Sequence, residues 1–305
     1  MLLQVERGAR GALPELAHLT RHELPSGSLT PCLGEPNFKA PAEVSARIGR
    51  MLAALPNRKK LSRISLVLPD ACARVIILDI EKLPTSRRQA EQMIRWQVRK
   101  RVPFTMDEAR MAVQRFPLEQ GGERVVVVLG LEKVLSQYEQ VVAALGFQPG
   151  LVDLSTFNMA NLLFLEANQR KVAEAGDVAL LNVADEEFSI LILRRGLPLF
   201  YRSKPLIHKS VEKPVECRRD IKRELISSSA YYRDRLEGSA AGIGQAWLRT
   251  AGSGGLMLDE EVQETLGVKP RRLDAARTVS MGTAAGSDLL EMAAPALGIT
   301  AGRWV

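Results

Sequence analysis

The side chains that most often perform chemistry are few and widely spaced in this sequence. His18 and His22 lie four residues apart, as zinc ligands on one helix face do, but no cysteine or carboxylate accompanies them at a recognised spacing. The three cysteines form no C-x-x-C pair, which favours reduced thiols; they are Cys32, Cys72 and Cys217. A G-x-S-x-G turn and a P-loop are also missing. We therefore predict neither a metal site nor a catalytic nucleophile.

Positive charge is the second chemical feature of the chain. The net charge of +7 favours an acidic neighbour, either nucleic acid or the anionic face of a membrane. The basic residues occur in short groups, at 58–60, 87–88, 99–101, 218–223 and 271–272. Aromatic residues are only 5% of the chain, too few for a surface on which bases stack. We expect no nucleic-acid partner and interpret most of these groups as solvated surface.

The elements that position these residues are clearest between residues 64 and 104. Ile64–Leu68 and Val75–Ile80 are short β-branched runs, which predict two strands. Ser86, with a glutamine three residues later, is typical of a capping box and predicts a helix from about Arg87 to Arg101. On that helix the apolar face consists of Ala90, Met93, Ile94 and Val98, and the basic face of Arg88, Arg95 and Arg99. Trp96 lies at the edge between them.

The strands and helices continue in a regular order after this stretch. Further strands are predicted at Leu2–Arg7, Met111–Leu118, Val125–Gly130 and Leu151–Leu154, and helices at Pro41–Leu55, Leu131–Leu145 and Ser155–Ala167. The order from residue 64 to 154 is then β-β-α-β-β-α-β, which indicates an α+β subdomain at about 61–150 inserted in an α/β body.

A polar segment, Asn168–Gly176, predicts a hinge between a first lobe (1–170) and a second lobe (176–305). The second lobe begins with apolar strands and continues through one long helix and two glycine-rich runs. These are strands Ala179–Val183, Phe188–Leu193 and Leu199–Arg202, helix Lys222–Leu236, and the runs 238–244 and 251–255.

The stretch from Ile64 to Phe104, with its Leu83-Pro84 stop, its tryptophan-containing helix and its Arg-Val-Pro-Phe ending, resembles the inserted subdomain of the PilM family. PilM proteins are actin-like cytoplasmic components of the type IV pilus assembly platform. The order of elements is similar over roughly residues 60–300. The resemblance implies an α/β, actin-like (ASKHA, ribonuclease H-like) two-lobed fold with an inserted α+β subdomain. The type II secretion protein GspL has the same architecture and is the alternative.

In that family ATP lies between the lobes, held by two aspartate-containing phosphate hairpins and a glycine-rich adenosine turn. No early strand followed by Asp and Gly precedes Leu24, so the first hairpin is truncated or lost. The resemblance implies cofactor-binding positions at Asn182, Ala184, Asp185, Gly252, Gly254 and Gly255. Asparagine and alanine replace the aspartate and glycine of the second hairpin, which removes a carboxylate that magnesium needs. We expect a degenerate nucleotide site; ATP with Mg²⁺, and ATPase activity, are the alternative.

PilM relatives also hold the cytoplasmic tail of PilN, a membrane protein, against the inserted subdomain. The resemblance implies partner-binding positions at Val75, Ile77, Arg95, Trp96, Val98, Arg99 and Phe104. An extended tail binds through backbone hydrogen bonds to a sheet edge, with side-chain pockets for specificity. We therefore expect a scaffold of the pilus platform, acting in pilus assembly and twitching motility together with other platform proteins, and possible self-association. Without a bilayer-spanning run or a signal peptide, we expect it in the cytoplasm, peripheral to the inner membrane.

Overall fold

Short apolar runs form the strands of this protein, and longer amphipathic segments form its helices. The computed structural model describes the chain except for residues 7–12, 171–175, 185, 237–241, 251–255, 283–284 and 302–305. The strands are β1 (Leu2–Glu6), β2 (Glu15–Thr20), β3 (Arg63–Leu68), β4 (Arg74–Ile80), β5 (Ala109–Pro117), β6 (Glu123–Leu131), β7 (Gln148–Leu154), β8 (Asp177–Ala184), β9 (Glu187–Arg194), β10 (Leu197–Pro205), β11 (Ile243–Arg249), β12 (Pro270–Arg272) and β13 (Ser280–Met281). The helices are α1 (Pro41–Ala53), α2 (Arg87–Arg99), α3 (Glu132–Ala144), α4 (Ser155–Arg170), α5 (Pro214–Arg235), α6 (Asp259–Leu266) and α7 (Ser287–Gly298).

The second half of the chain folds around a five-stranded sheet in the order β10-β9-β8-β11-β12. β8, β9 and β10 are antiparallel neighbours, whereas β11 runs parallel to β8 and β12 runs parallel to β11. Leu181 packs in a cluster with Ile221 of α5, and Leu180 packs with Leu162 of α4. Because helices cover both faces of the sheet, β8 and β9 are continuous apolar runs without polar alternation.

The first half repeats this chain order with fewer paired strands. β1 and β2 form an antiparallel pair, α1 follows, and β3 and β7 form a parallel pair. Leu2 of β1 and Leu66 of β3 contact the same apolar cluster as Leu52 of α1 and Val142 of α3. In the other sheet, β8 lies between β9 and β11 and pairs with both. In the described residues no strand lies in this way between β1 and β3. The first-half sheet is therefore divided in two.

The insertion between β3 and β7 is a three-stranded antiparallel sheet in the order β4-β6-β5, with α2 against one face. Ile94 and Val98 of α2 belong to the same buried cluster as Ile76 and Leu78 of β4. The predicted order β-β-α-β-β-α-β is confirmed. The predicted capping box is wrong, because the Ser86 side chain accepts no hydrogen bond from the first turn of α2. This helix end is exposed, so water competes for its free amides.

Several elements escaped prediction. The elements β2, β12, β13, α6 and α7 were not predicted from the sequence. Helix α5 begins eight residues earlier than predicted, at Pro214, and proline in the first turn is a common helix start. Part of the predicted hinge lies outside the described residues, so the lobe boundaries stay a prediction. The three cysteines are free thiols, as expected.

Candidate functional site

Two of the positions predicted to bind nucleotide, Asn182 and Ala184, lie at the carboxyl end of β8 in the five-stranded sheet. β8 and β11 are parallel, and Asn182 is the register partner of Arg249. The carboxyl ends of the two strands therefore lie side by side, where open α/β sheets bind ligands. Ala184 ends β8. The other four predicted positions are outside the described residues; they are Asp185, Gly252, Gly254 and Gly255.

The Asn182 side chain is buried and engaged within the protein. Its amide nitrogen donates to Ser155 Oγ at 2.7 Å and to Thr156 Oγ1 at 3.0 Å, and its Oδ1 accepts from Arg249 Nη1 at 2.7 Å. Arg249 also donates to the Glu291 carbonyl at 2.9 Å. Both amide hydrogens are thus used. Asn182 connects α4 to the sheet, a role that the sequence analysis did not anticipate.

Two buried carboxyls meet next to this asparagine. Asp70, in the turn between β3 and β4, accepts hydrogen bonds from the amide and hydroxyl of Thr156. Glu187, at the start of β9, accepts from Ser203 Oγ at 2.5 Å and from the amides of Asp70 and Ala71. Burial raises the pKa of Asp70, and burial with the Asp70 charge raises the pKa of Glu187 to about 8. The hydrogen bonds from the Asp70 and Ala71 amides to Glu187 therefore join the two halves of the chain.

The described residues contain no group of three His, Cys, Asp or Glu side chains that could hold a metal ion.

An apolar groove of about 470 Å³ lies between the inserted sheet and the β3-β7 pair. Its lining includes Ala112, Gln114, Val126, Val128, Val152 and Phe157. β5 is the outer strand of its sheet and β7 pairs only with β3, so in the described part of the chain each has one edge without a strand partner. Both strands line the groove. Exposed backbone edges beside an apolar floor are suited to an added strand.

The two arginines at the margin of this groove, Arg110 and Arg115, form ion pairs with glutamates. Arg110 of β5 donates to Glu132 at 2.7 Å and to Glu139 at 2.5 Å, and these hydrogen bonds raise the pKa of its guanidinium. Arg115 donates through Nε to Glu123 at 2.6 Å. Both arginines are thus paired with glutamates within the protein, while Gln114, Asp153 and Asn161 add polar groups to the lining of the groove.

The residues predicted to bind a partner divide between the two faces of the inserted sheet. Val75 and Ile77 are cross-strand partners of Val128 and Val126, so they lie on the groove face. The α2 residues lie on the opposite face, where Trp96 is 66% exposed. Val98 is completely buried in the core, so its side chain cannot contact a partner in this conformation.

The other predicted positions are also on or near α2. Arg95 is half-buried and donates to Glu91 at 3.3 Å and to the Met106 carbonyl at 3.3 Å, while Arg99 is exposed. Phe104 is half-buried and packs against the core of the subdomain. The groove residues of β5, β6 and β7 were missed, because the sequence predicts strands but not which of them lie side by side across a cavity.

No protein-family model and no curated protein matches this chain. Among solved structures, a PilM-PilN type IV pilus biogenesis complex matches with a TM-score of 0.76 and 19% identity, over 97% of this chain and 92% of the other. The cytoplasmic domain of EpsL, an inner-membrane component of the Vibrio cholerae type II secretion system, matches at 0.44 and 14% identity, over 87% and 82%. MreB 5 of Spiroplasma citri bound to AMPPNP matches at 0.41 and 9%, over 89% and 77%. The match to the PilM structure shows that the chain has the mixed α/β fold that the family resemblance implied.

Proposed function

We propose that this protein is an actin-like scaffold of a type IV pilus platform that binds the extended cytoplasmic tail of a PilN-like membrane protein. The observation that carries this proposal is the apolar groove between β5 and β7. The PilM of similar fold was solved in a complex with PilN, which makes a membrane-protein tail the first candidate for the occupant.

The groove suits an extended peptide better than a compact ligand. In the described part of the chain β5 and β7 each have one edge without a strand neighbour, and such an edge offers backbone donors and acceptors at strand spacing to an extended segment. Val126, Val128 and Phe157 supply apolar contact for alternate side chains of that segment. Of the residues predicted from the sequence, Val75 and Ile77 share the sheet face of Val128 and Val126 but do not line the groove themselves.

The described residues include no helix long and apolar enough to cross a membrane. A protein of this kind reaches the inner membrane through its partner, and we propose a cytoplasmic location peripheral to that membrane. A secretion-system component of the GspL type is the alternative, and the identity of the partner that binds distinguishes the two.

The proposal is tested by titrating the purified protein with a peptide from the cytoplasmic N-terminus of the PilN-like protein of the same organism. Ala112 is exposed on β5 and lines the groove, so Ala112→Arg fills the site without disturbing the core. We expect saturable binding that Ala112→Arg weakens about tenfold or more, by loss of groove contacts. Calorimetry measures the affinity of each protein for the peptide.

Ala144→Arg, at an exposed position that ends α3, adds the same side chain away from the groove and should bind as the wild type does. Equal affinity of all three proteins, or no binding at all, contradicts the proposal. Trp96→Ala should leave tail binding unchanged, because Trp96 lies across the sheet from the groove.

Nucleotide binding is the second candidate function. It is supported by the adjacent carboxyl ends of β8 and β11, because open α/β sheets bind ligands at such strand ends. The internal hydrogen bonds of Asn182 favour binding without hydrolysis. A calorimetric titration with ATP and Mg²⁺ decides: saturation supports this function, and a flat titration at millimolar ATP ends it.

A further inference from the structure

Most of the net positive charge of the chain is concentrated in one helix and its end. Residues 87–101 contain six of the basic side chains and a single carboxylate, Glu91, so this segment carries +5 of the total +7. Neither the fold nor the groove accounts for this concentration. The groove is on the other face of the same sheet, and its arginines are paired with glutamates.

The charges of this segment point to solvent from a rigid support. Arg95 pairs with Glu91 at 3.3 Å, whereas the other cations are exposed and make no ion pair within the described residues. These other cations are Arg87, Arg88, Arg99, Lys100 and Arg101. Ala90, Ile94 and Val98 hold the opposite side of α2 in the core. The exposed cations are therefore held on a rigid helix, and binding to them does not require a flexible segment to become ordered.

An apolar side chain stands among these cations. Trp96 is 66% exposed, although tryptophan is largely buried in most proteins. Lys100 Nζ lies 5.8 Å from the centre of its ring. A shallow depression of about 550 Å³ on the same helix is lined by two arginines and two carboxylates, Arg88, Arg95, Glu91 and Asp107, and is thus of mixed charge. One exposed indole among exposed cations is the composition of an interfacial membrane anchor.

We propose that the outward face of α2 is a docking surface for an anionic phospholipid membrane. The cations are attracted to the headgroup phosphates, and Trp96 inserts its ring at the headgroup level. A nucleic acid is less suited, because one tryptophan offers no stacking series. The groove on the opposite face stays accessible, so a membrane and a tail can bind at the same time.

The test is co-sedimentation with phosphatidylcholine vesicles that contain either no phosphatidylglycerol or about 25 mol% of it, at about 0.1 M salt. We expect binding to the anionic vesicles only, and release at about 0.5 M salt, because screening weakens surface attraction. Tryptophan fluorescence should shift to the blue on binding. In a Trp304→Phe background, Trp96→Phe should abolish the shift, since the remaining tryptophan, Trp247, is buried.

A pair of charge reversals provides the matched control. Arg88→Glu with Arg99→Glu should weaken vesicle binding about tenfold or more. Lys59→Glu with Lys60→Glu changes the net charge equally, at exposed positions before β3, and should have little effect. Trp96→Ala is the second variant, in case the double reversal fails to fold.

Equal weakening by both double reversals, or equal binding to neutral vesicles, overturns the proposal. Binding to polyglutamate or DNA without binding to vesicles overturns it as well. Ala112→Arg should bind vesicles like the wild type. A failure of the membrane-docking proposal can therefore be distinguished from a failure of the tail-binding proposal.

Discussion

Asp70 and Glu187 show how a residue with no local signature acquires a role. Each is an ordinary acidic residue in the sequence, one in a turn and one at the start of a strand. In the fold both are buried, from different halves of the chain, and burial raises the pKa of each. Two adjacent carboxylates are costly to ionise together, so the pair retains a proton at neutral pH.

The raised pKa of Glu187 predicts how stability depends on pH. The folded protein holds this proton up to about pH 8, whereas the unfolded chain releases it near 4.5. The contribution of this carboxyl to the free energy of unfolding is therefore complete below about pH 4.5 and is lost as the pH rises to about 8. The free energy changes by at most about 1.4 kcal/mol per pH unit for one proton. Urea unfolding across this range measures it.

Glu187→Gln keeps a neutral hydrogen-bonding group and should flatten this part of the pH profile. Glu212→Gln, at an exposed position, should leave the profile as it is. A wild-type stability that rises between pH 5 and 8 would contradict the raised pKa.

At the scale of elements, prolines mark the edges of the sheets. Pro117 is in β5, Pro149 in β7, Pro198 in β10 and Pro270 in β12, and each of these strands is the outer one of its sheet. A proline has no amide hydrogen to donate to a neighbouring strand, so it is tolerated at an edge. In the sequence, Pro117 and Pro149 were therefore the one local indication that the groove strands β5 and β7 lie at sheet edges.

Close packing of α7 against α4 makes a prediction at this scale. A Cβ at Gly298 would overlap the carbonyl of Asn158, which is backbone and cannot turn aside. Gly298→Ala should therefore destabilise the protein by about 1–3 kcal/mol or more, as overpacking of a core does. Denaturant unfolding measures this.

Gly286→Ala is the control, because a Cβ there meets nothing within 4 Å and the backbone φ is −69°. It should change stability little. Equal stabilities of the two variants would show that α7 does not pack on α4 in this way.

The whole molecule contains the same chain order twice, with unequal pairing. β11 is flanked by β8 and β12, whereas β3 has only β7 as a strand partner in the described residues. About half of the β3 amides should then lack an interstrand hydrogen bond. By hydrogen exchange we expect β3 to exchange about tenfold or more faster than β11 on average.

Equal protection of the two strands would reveal a further hydrogen-bond partner along the free edge of β3. β8 and β9 serve as internal references, because both are buried and paired on either side.

The sequence by itself determined the order of elements from β3 to β7, the two faces of α2 and the charge of that helix. These depend on periodicity and composition, which are local properties. Only the tertiary structure decided that β5 and β7 border one groove, that Trp96 lies across the sheet from it, and that Asn182 is occupied by Arg249. The reason is physical: strand pairing and burial join residues distant in the chain, and no local pattern specifies their partners.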